Sequence, residues 1–233
     1  MERAHGLFDI DVSGDYACFT RAEFKAERVS YPIITPSAAR GLLEAVLWKP
    51  AMRWEIREIR VLNPLQQTTV MRNELGERQT RNPVFIEALR QQRTSLILKD
   101  VKYRITAQIV LRPHTTDPLA KYTEQFTRRL ERGQHYHMPY LGTREFAARV
   151  EAATEEIAPQ PLDLGIGQML FDIAYRMGTG RGELSFYRHD AEGKHLVNGQ
   201  ARALFFNGDV RQGVLTVPPE KYRELYALED GNA

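Results

Sequence analysis

The chain has 233 residues, 42% hydrophobic and 27% charged, the balance of a water-soluble globular protein with enough apolar side chains for a real core. Its longest apolar stretches fall well short of the roughly 20 residues that cross a bilayer, and the opening Met-Glu-Arg-Ala-His precedes no apolar leader core, so neither a membrane span nor export is expected. The lone cysteine, Cys18, excludes an internal disulfide and fits a reducing cytoplasm.

Charge is distributed unevenly. Residues 1–149 carry 24 Lys+Arg against 17 Asp+Glu, and the rest of the chain carries 8 against 13. A basic two-thirds beside an acidic tail points to a polyanionic partner for the first part. Most of the cations are arginine, which favours bidentate and stacking contacts to phosphates and bases.

In chain order, Leu7–Val12 alternates apolar and acidic residues and predicts a strand with Phe8, Ile10 and Val12 on one face. Gly14-Asp15 interrupts it before a second extended run, Tyr16–Phe19. Thr35 is an N-cap and Pro36 a first helical residue for a helix over Ser37–Trp48, which Pro50 stops. Arg53–Asn63 alternates again and predicts a strand with a bulge near Glu58. Gln66–Arg93 is polar, holds five arginines and predicts a loop or protruding hairpin with a short helix near Pro83–Leu89.

Lys102–Leu111 predicts a third strand, Pro118–Arg132 a second helix ending at Gly133, and Met138–Val150 a fourth strand. The order β-α-β-β-α-β predicts an α+β chain: a ferredoxin-like (RRM-like) domain over residues 1–155 with a basic hairpin insertion. Short strands at Met169–Tyr175, Leu184–Arg188, Ala203–Phe206 and Val214–Val217, then a helix at Pro219–Leu228, predict a small C-terminal antiparallel sheet over residues 156–233.

The sequence has no CxxC, no HExxH, no clustered carboxylate pair and no GxxxxGK[ST] loop, so the expected chemistry uses neither metal nor cofactor. Gly178–Gly182 reads as a flexible turn between strands. His135 and His137, in His-Tyr-His after the second helix, are the histidines placed to move protons. Lys121-Tyr122 opens that helix, where a cation and a phenol can meet a phosphate.

An ordered set of motifs carries a family resemblance. It comprises Gly14–Arg21, Arg28–Tyr31 running into Thr35–Gly41, Trp48-Lys49-Pro50, Arg72-Asn73-Glu74, Gln91-Gln92-Arg93, Leu141–Phe146, and Asp163-Leu164-Gly165 before Met169–Asp172. In these the chain resembles the subtype I-C form of the family-five CRISPR-associated protein, from about residue 12 to 175. The resemblance implies metal-independent cleavage of CRISPR precursor RNA at the base of the repeat hairpin. It also implies retention of the mature crRNA 5′ handle, beside the backbone and large subunits of the type I-C Cascade complex. Relatives place a Tyr before Trp-Lys-Pro and a Lys-His pair at the opening of the second helix. Here the first is Leu47 and the pair is Lys121-Tyr122.

The expected catalytic residues are therefore Lys121 and Tyr122, followed by His137. Expected RNA contacts are Arg21, Lys25, Arg28, Arg40, Arg72, Arg93 and Arg144. The alternatives are a non-catalytic RNA-binding subunit of the same complex and a generic ferredoxin-like regulator. If the basic two-thirds meets RNA, affinity for repeat RNA falls steeply with salt as counterions are released. A titration between 50 and 200 mM salt checks this, and salt-insensitive binding argues against a polyanionic partner.

Overall fold

The computed structural model describes residues 6–24, 27–76, 85–180 and 182–230. β1 spans Leu7–Ala17 and buries Phe8, Ile10 and Val12 on one face, as the alternation requires. Gly14 does not end it. A Cβ there would come within 2.5 Å of Leu141 and 2.9 Å of the Ala147 carbonyl, so glycine lets the loop before β6 lie against the strand.

After β2 (Arg28–Val29), α1 runs from Pro36 to Val46. Thr35 Oγ1 accepts from the Ala38 N–H at 3.2 Å, and Ala39, Leu42, Leu43 and Val46 face the core. β3 is Met52–Val61, and its register against its neighbour shifts between Ile56 and Glu58, the expected bulge. The polar stretch that follows forms a ladder. β4 (Gln66–Leu75), the one-turn α2 (Ile86–Leu89) and β5 (Arg90–Leu111) make an antiparallel arm paired from Gln66↔Lys99 to Leu75↔Arg90.

α3 (Leu119–Glu131) follows β5, and β6 is only Arg149–Ala152. Most of the strand expected over Met138–Val150 is a loop held by a single Tyr140↔Ala147 bridge. Gly142 explains the departure. It has φ +85°, and a Cβ there would sit 2.0 Å from the Cys18 carbonyl, so the chain turns tightly onto the end of β1. The remaining elements are β7 (Leu164–Met177), β8 (Leu184–Asp190), β9 (Gly193–Arg211), β10 (Val214–Thr216) and α4 (Pro219–Asp230).

The expected fold class, a ferredoxin-like domain carrying a small C-terminal sheet, is corrected by the sheet itself. All ten strands belong to one sheet whose main path is β6-β1-β5-β3-β10-β9-β7, with β2 and β4 on β5 and β8 on β9. The later strands are thus a continuation of the first ones. The join is β10, three residues that pair with β3 on one side (Leu215↔Ile59) and β9 on the other (Leu215↔Val210). Alternation in a sequence says which face of a strand is buried. It does not say which edge a distant three-residue strand will extend.

One core runs beneath the sheet, from Phe8 and Trp54 through Phe126 to Phe171, Tyr222 and Leu225. Two polar ties fix the helices to it. At the β3 bulge the Tyr222 hydroxyl accepts from the Ile56 N–H at 2.6 Å and donates to the Ile56 carbonyl at 3.2 Å. Burial raises the Tyr222 pKa, so the hydroxyl keeps its proton for this second bond. On α1, Arg40 Nη2 meets the buried Asp172 of β7 at 2.7 Å and Nη1 meets Glu44 at 2.8 Å. Among the described residues no helix is long and apolar enough to cross a membrane.

Tyr222→Phe keeps the ring and removes only the hydroxyl, leaving two buried backbone groups without their partner. Chemical denaturation of the variant should show a loss of about 1–3 kcal/mol, and a change below about 0.5 kcal/mol would mean that the bulge is satisfied in another way.

Candidate nucleic-acid site

At the end of β5 the chain passes through residues 112–118 and enters α3 at Leu119. Pro118 is the N-cap residue and offers no side-chain cap, so the first turn of the helix is organised from Asp117 just before it. Asp117 Oδ2 accepts from Lys121 Nζ at 2.8 Å and from the Tyr122 hydroxyl at 2.6 Å. This follows from helical spacing: a residue four ahead of Lys121 lies on the same face. Lys121 is exposed, whereas the Tyr122 ring belongs to the core at 3% exposure.

The three groups set one another's charge. The hydrogen bond from Lys121, then that from Tyr122, holds the Asp117 carboxyl below its usual range. The bond to Asp117 raises Lys121, while burial and then the same carboxylate raise Tyr122. Across neutral pH the cluster is therefore a carboxylate, an ammonium and a phenol. Lys121 presents a fixed cation to solvent, and Tyr122 directs its proton at Asp117. Sequence reasoning missed Asp117, although its spacing to Lys121-Tyr122 was visible. Leu47 is fully buried and supplies packing, with its carbonyl accepting from Trp54 Nε1 at 3.0 Å.

His137 is elsewhere. Lys121 opens α3 and His137 follows its end, and the ten residues from Lys121 to Glu131 rise about 15 Å along the axis. His137 stacks on Tyr140 with ring centres 6.2 Å apart and lines a groove of about 320 Å³ with Thr35, Ser37 and Gly41. His135 lies in a separate groove beside Gly133 and Val150.

The expected RNA contacts separate into distinct environments. Arg28, Arg72 and Arg93 are brought together. Arg28 meets Glu74 at 3.5 Å and Glu145 at 3.8 Å, Arg93 meets Glu74 at 3.6 Å, and Arg72 pairs with Glu145. Among the described residues these three cations meet two carboxylates, and Arg72 Nε and Nη2 are buried without a hydrogen bond. The Gly142 turn is what delivers Glu145 to it. Arg144, beside it, is exposed. Arg21 lies 4.7 Å above the Tyr31 ring and 3.6 Å from Glu23. Arg40 is tied to Asp172 and Glu44. Burial alone would lower its pKa, but the two carboxylates reverse that and keep the guanidinium charged. Lys25 lies outside the described residues. Among the described residues no three His, Cys, Asp or Glu side chains are grouped to hold a metal ion.

Comparison with known proteins adds independent findings. A family model described as CRISPR-associated protein (Cas_Cas5) matches residues 9–218. A Thermus thermophilus protein named "CRISPR pre-crRNA endoribonuclease Cas5d" is 55% identical over 96% of this chain and 96% of its own. A protein of the same name from Mannheimia succiniciproducens is 38% identical over 90% of this chain and 94% of its own. The fold resembles a crystal structure of a CRISPR-associated protein, with TM-score 0.64 and 22% identity over 93% of this chain and 94% of that one. It also resembles a functionally uncharacterized protein from Streptococcus mutans, with TM-score 0.63 and 18% identity over the same shares of the two chains. A match over nearly the whole chain, with relatives this similar at both levels, means that the chain belongs to the Cas5d family of CRISPR-associated proteins.

Proposed function

We propose that this chain binds CRISPR precursor RNA, cleaves it at the repeat hairpin, and stays on the product's 5′ handle as a subunit of a type I-C surveillance complex in the cytoplasm. The observation that carries the reading is the 55% identity, over nearly the full length of both chains, to a protein named for precursor-crRNA cleavage. The Asp117–Lys121–Tyr122 cluster, at the positions where the family resemblance implies a Lys-His pair, supports it.

The proposed chemistry is attack of a ribose 2′-hydroxyl on the adjacent phosphorus. The new O–P bond forms as the bond to the 5′ oxygen breaks, giving a cyclic phosphate and, once water returns a proton to the departing oxygen, a 5′-hydroxyl. Negative charge grows on the phosphoryl oxygens, and the exposed Lys121 ammonium is placed to meet it. Asp117 holds that ammonium in one orientation, and Tyr122, committed to Asp117, is a positioning residue whose ring anchors the helix start. None of the three groups changes protonation near neutrality, so water or hydroxide takes the 2′ proton. In-line alignment of the RNA beside Lys121 supplies much of the acceleration, while the arginine cluster, Arg144 and Arg21 hold the RNA farther along the protein.

One feature favours a second reading, a handle-binding subunit without cleavage: Leu47 and Tyr122 stand where the family resemblance implies Tyr and His. Incubation of the protein with its own repeat RNA in chelator separates the two. A discrete cut supports processing, and tight binding to intact RNA supports the second reading.

Two further outcomes are expected. Lys121→Ala should slow single-turnover cleavage by about 100-fold or more, with affinity for repeat RNA changing less than about threefold. An equal loss in binding and cleavage would make Lys121 an ordinary phosphate contact. The cleavage rate should also climb through pH 6–9, because Asp117 is held low and Lys121 high, leaving no group of the cluster to titrate there. A plateau near neutrality would instead identify a histidine base, His137 being the first to test by His137→Ala.

A further inference from the structure

β8 pairs with β9 alone, so the β8–β9 hairpin leaves the body of the sheet by one edge. Together with residues 112–114 and the turn after α1 it borders a cleft of about 950 Å³. Three aromatic side chains stand open in this cleft: Trp48 is 47% exposed, Tyr175 41% and Tyr187 58%. Trp48 meets His189 edge-on at 5.4 Å, which fixes its plane, and Lys194 Nζ sits 3.8 Å over the Tyr187 ring.

The charges of the cleft are not balanced. Four cations, Arg53, Arg112, Arg188 and Lys194, line it against three carboxylates; Glu229 and Asp230 both meet Arg53, at 3.3 and 3.7 Å, and Asp190 lies 3.3 Å from His195. Arg112, Arg188 and Lys194 have no carboxylate within ion-pair distance among the described residues. Arg188 Nη1 meets the Met177 sulfur at 3.4 Å, and Arg112 Nε is buried without a hydrogen bond. Burial, then the nearby Arg53, lowers the Arg112 pKa, against the opposing pull of Glu229 and Asp230.

Open aromatic faces interleaved with unpaired cations are what a single-stranded nucleic acid binds: bases stack on the rings while phosphates meet the cations, largely without regard to sequence. The volume suits one or two nucleotides. Arg112 and His114 also precede Asp117 and Lys121 in the chain, a few residues from the proposed cleavage cluster. We propose that this cleft is a second RNA subsite, which holds an unpaired segment of the RNA with one base on Trp48, another on Tyr187, and its phosphates on Arg112, Arg188 and Lys194. The proposal deepens, and rests on, the reading of the chain as a precursor-RNA nuclease.

Intrinsic fluorescence tests it with the full chain. The chain has two tryptophans, and Trp54 is buried at 1% exposure, so a ligand in the cleft reports through Trp48. An unstructured eight-nucleotide RNA should quench the emission saturably. Trp48→Leu should abolish the change and weaken that RNA about tenfold. Tyr187→Ser should weaken it to a similar degree, while Arg188→Gln should lower the salt dependence by about one phosphate contact. Unquenched emission, or unchanged affinity in both aromatic variants, overturns the proposal. If the repeat hairpin is still bound and cut in that event, the cleft alone is misassigned and the processing reading stands. If single-stranded RNA quenches Trp48 while no repeat RNA is ever cut, the cleft stands and the processing reading falls. Quenching by a partner polypeptide but not by RNA overturns the proposal in favour of a protein-docking role.

Discussion

Everything in this fold is referred to β5, 22 residues of continuous strand that pair with β4 along the first half and with β1 and β3 along the second. At about 3.3 Å per residue such a strand is roughly 70 Å long. Its second half lies between β1 and β3 in the core, and its first half lies between β4 and β2 in the arm. The change between the two regimes falls at Asp100, whose φ of +52° turns the strand and whose carbonyl accepts from Asn63 Nδ2 at 2.9 Å. A rigid ladder through that turn fixes the arm relative to the core. One end of the strand then carries Arg93 into the Arg28–Arg72–Arg93 cluster, and the other end delivers Arg112 and the loop that holds Asp117. An elongated polyanion can touch both ends of one strand.

The arginines fall into three uses that a charge count merges. Arg104, 2% exposed, is bidentate to Asp11 at 2.7 and 3.0 Å, and Arg40 joins α1 to β7 through Asp172. Breaking either pair would strand a buried charge, so these side chains hold the fold together. Arg28, Arg72 and Arg93 form a mixed cluster with two glutamates, which orders the guanidinium groups. Among the described residues Arg144, Arg112 and Arg188 have no carboxylate within ion-pair distance, and they have the most to gain from phosphate. The basic surplus of residues 1–149 is real, but only part of it faces outward.

The chemistry available at α3 is electrostatic. A carboxylate held low and an ammonium held high cannot trade protons at neutral pH, so the cluster offers a preoriented charge. Stabilising a developing anion needs no proton transfer. Leu47 packs, Tyr122 anchors, and neither exposes a titrating group.

By itself the sequence determined the local elements and the family. The Phe8-Ile10-Val12 alternation, the Thr35-Pro36 helix start, the bulge near Glu58 and the helix at Lys121-Tyr122 were all legible, because each depends on neighbours within a few residues. Membership was legible because short motifs recur in a fixed order. Only the tertiary structure decided the rest. The three residues of β10 were readable as a strand, but joining the ten described strands into one sheet depended on partners 156 residues away, as in Leu215↔Ile59. The ion pairs of Arg40, Arg72 and Arg28 depended on Asp172 and Glu145, more than 70 residues distant. The Trp48 cleft assembles α1's end, β5's end and the β8–β9 hairpin, which touch only after folding. Local pattern fixes which side chains face in or out. The closure of long loops decides which of the outward ones meet, and no window of sequence contains that information.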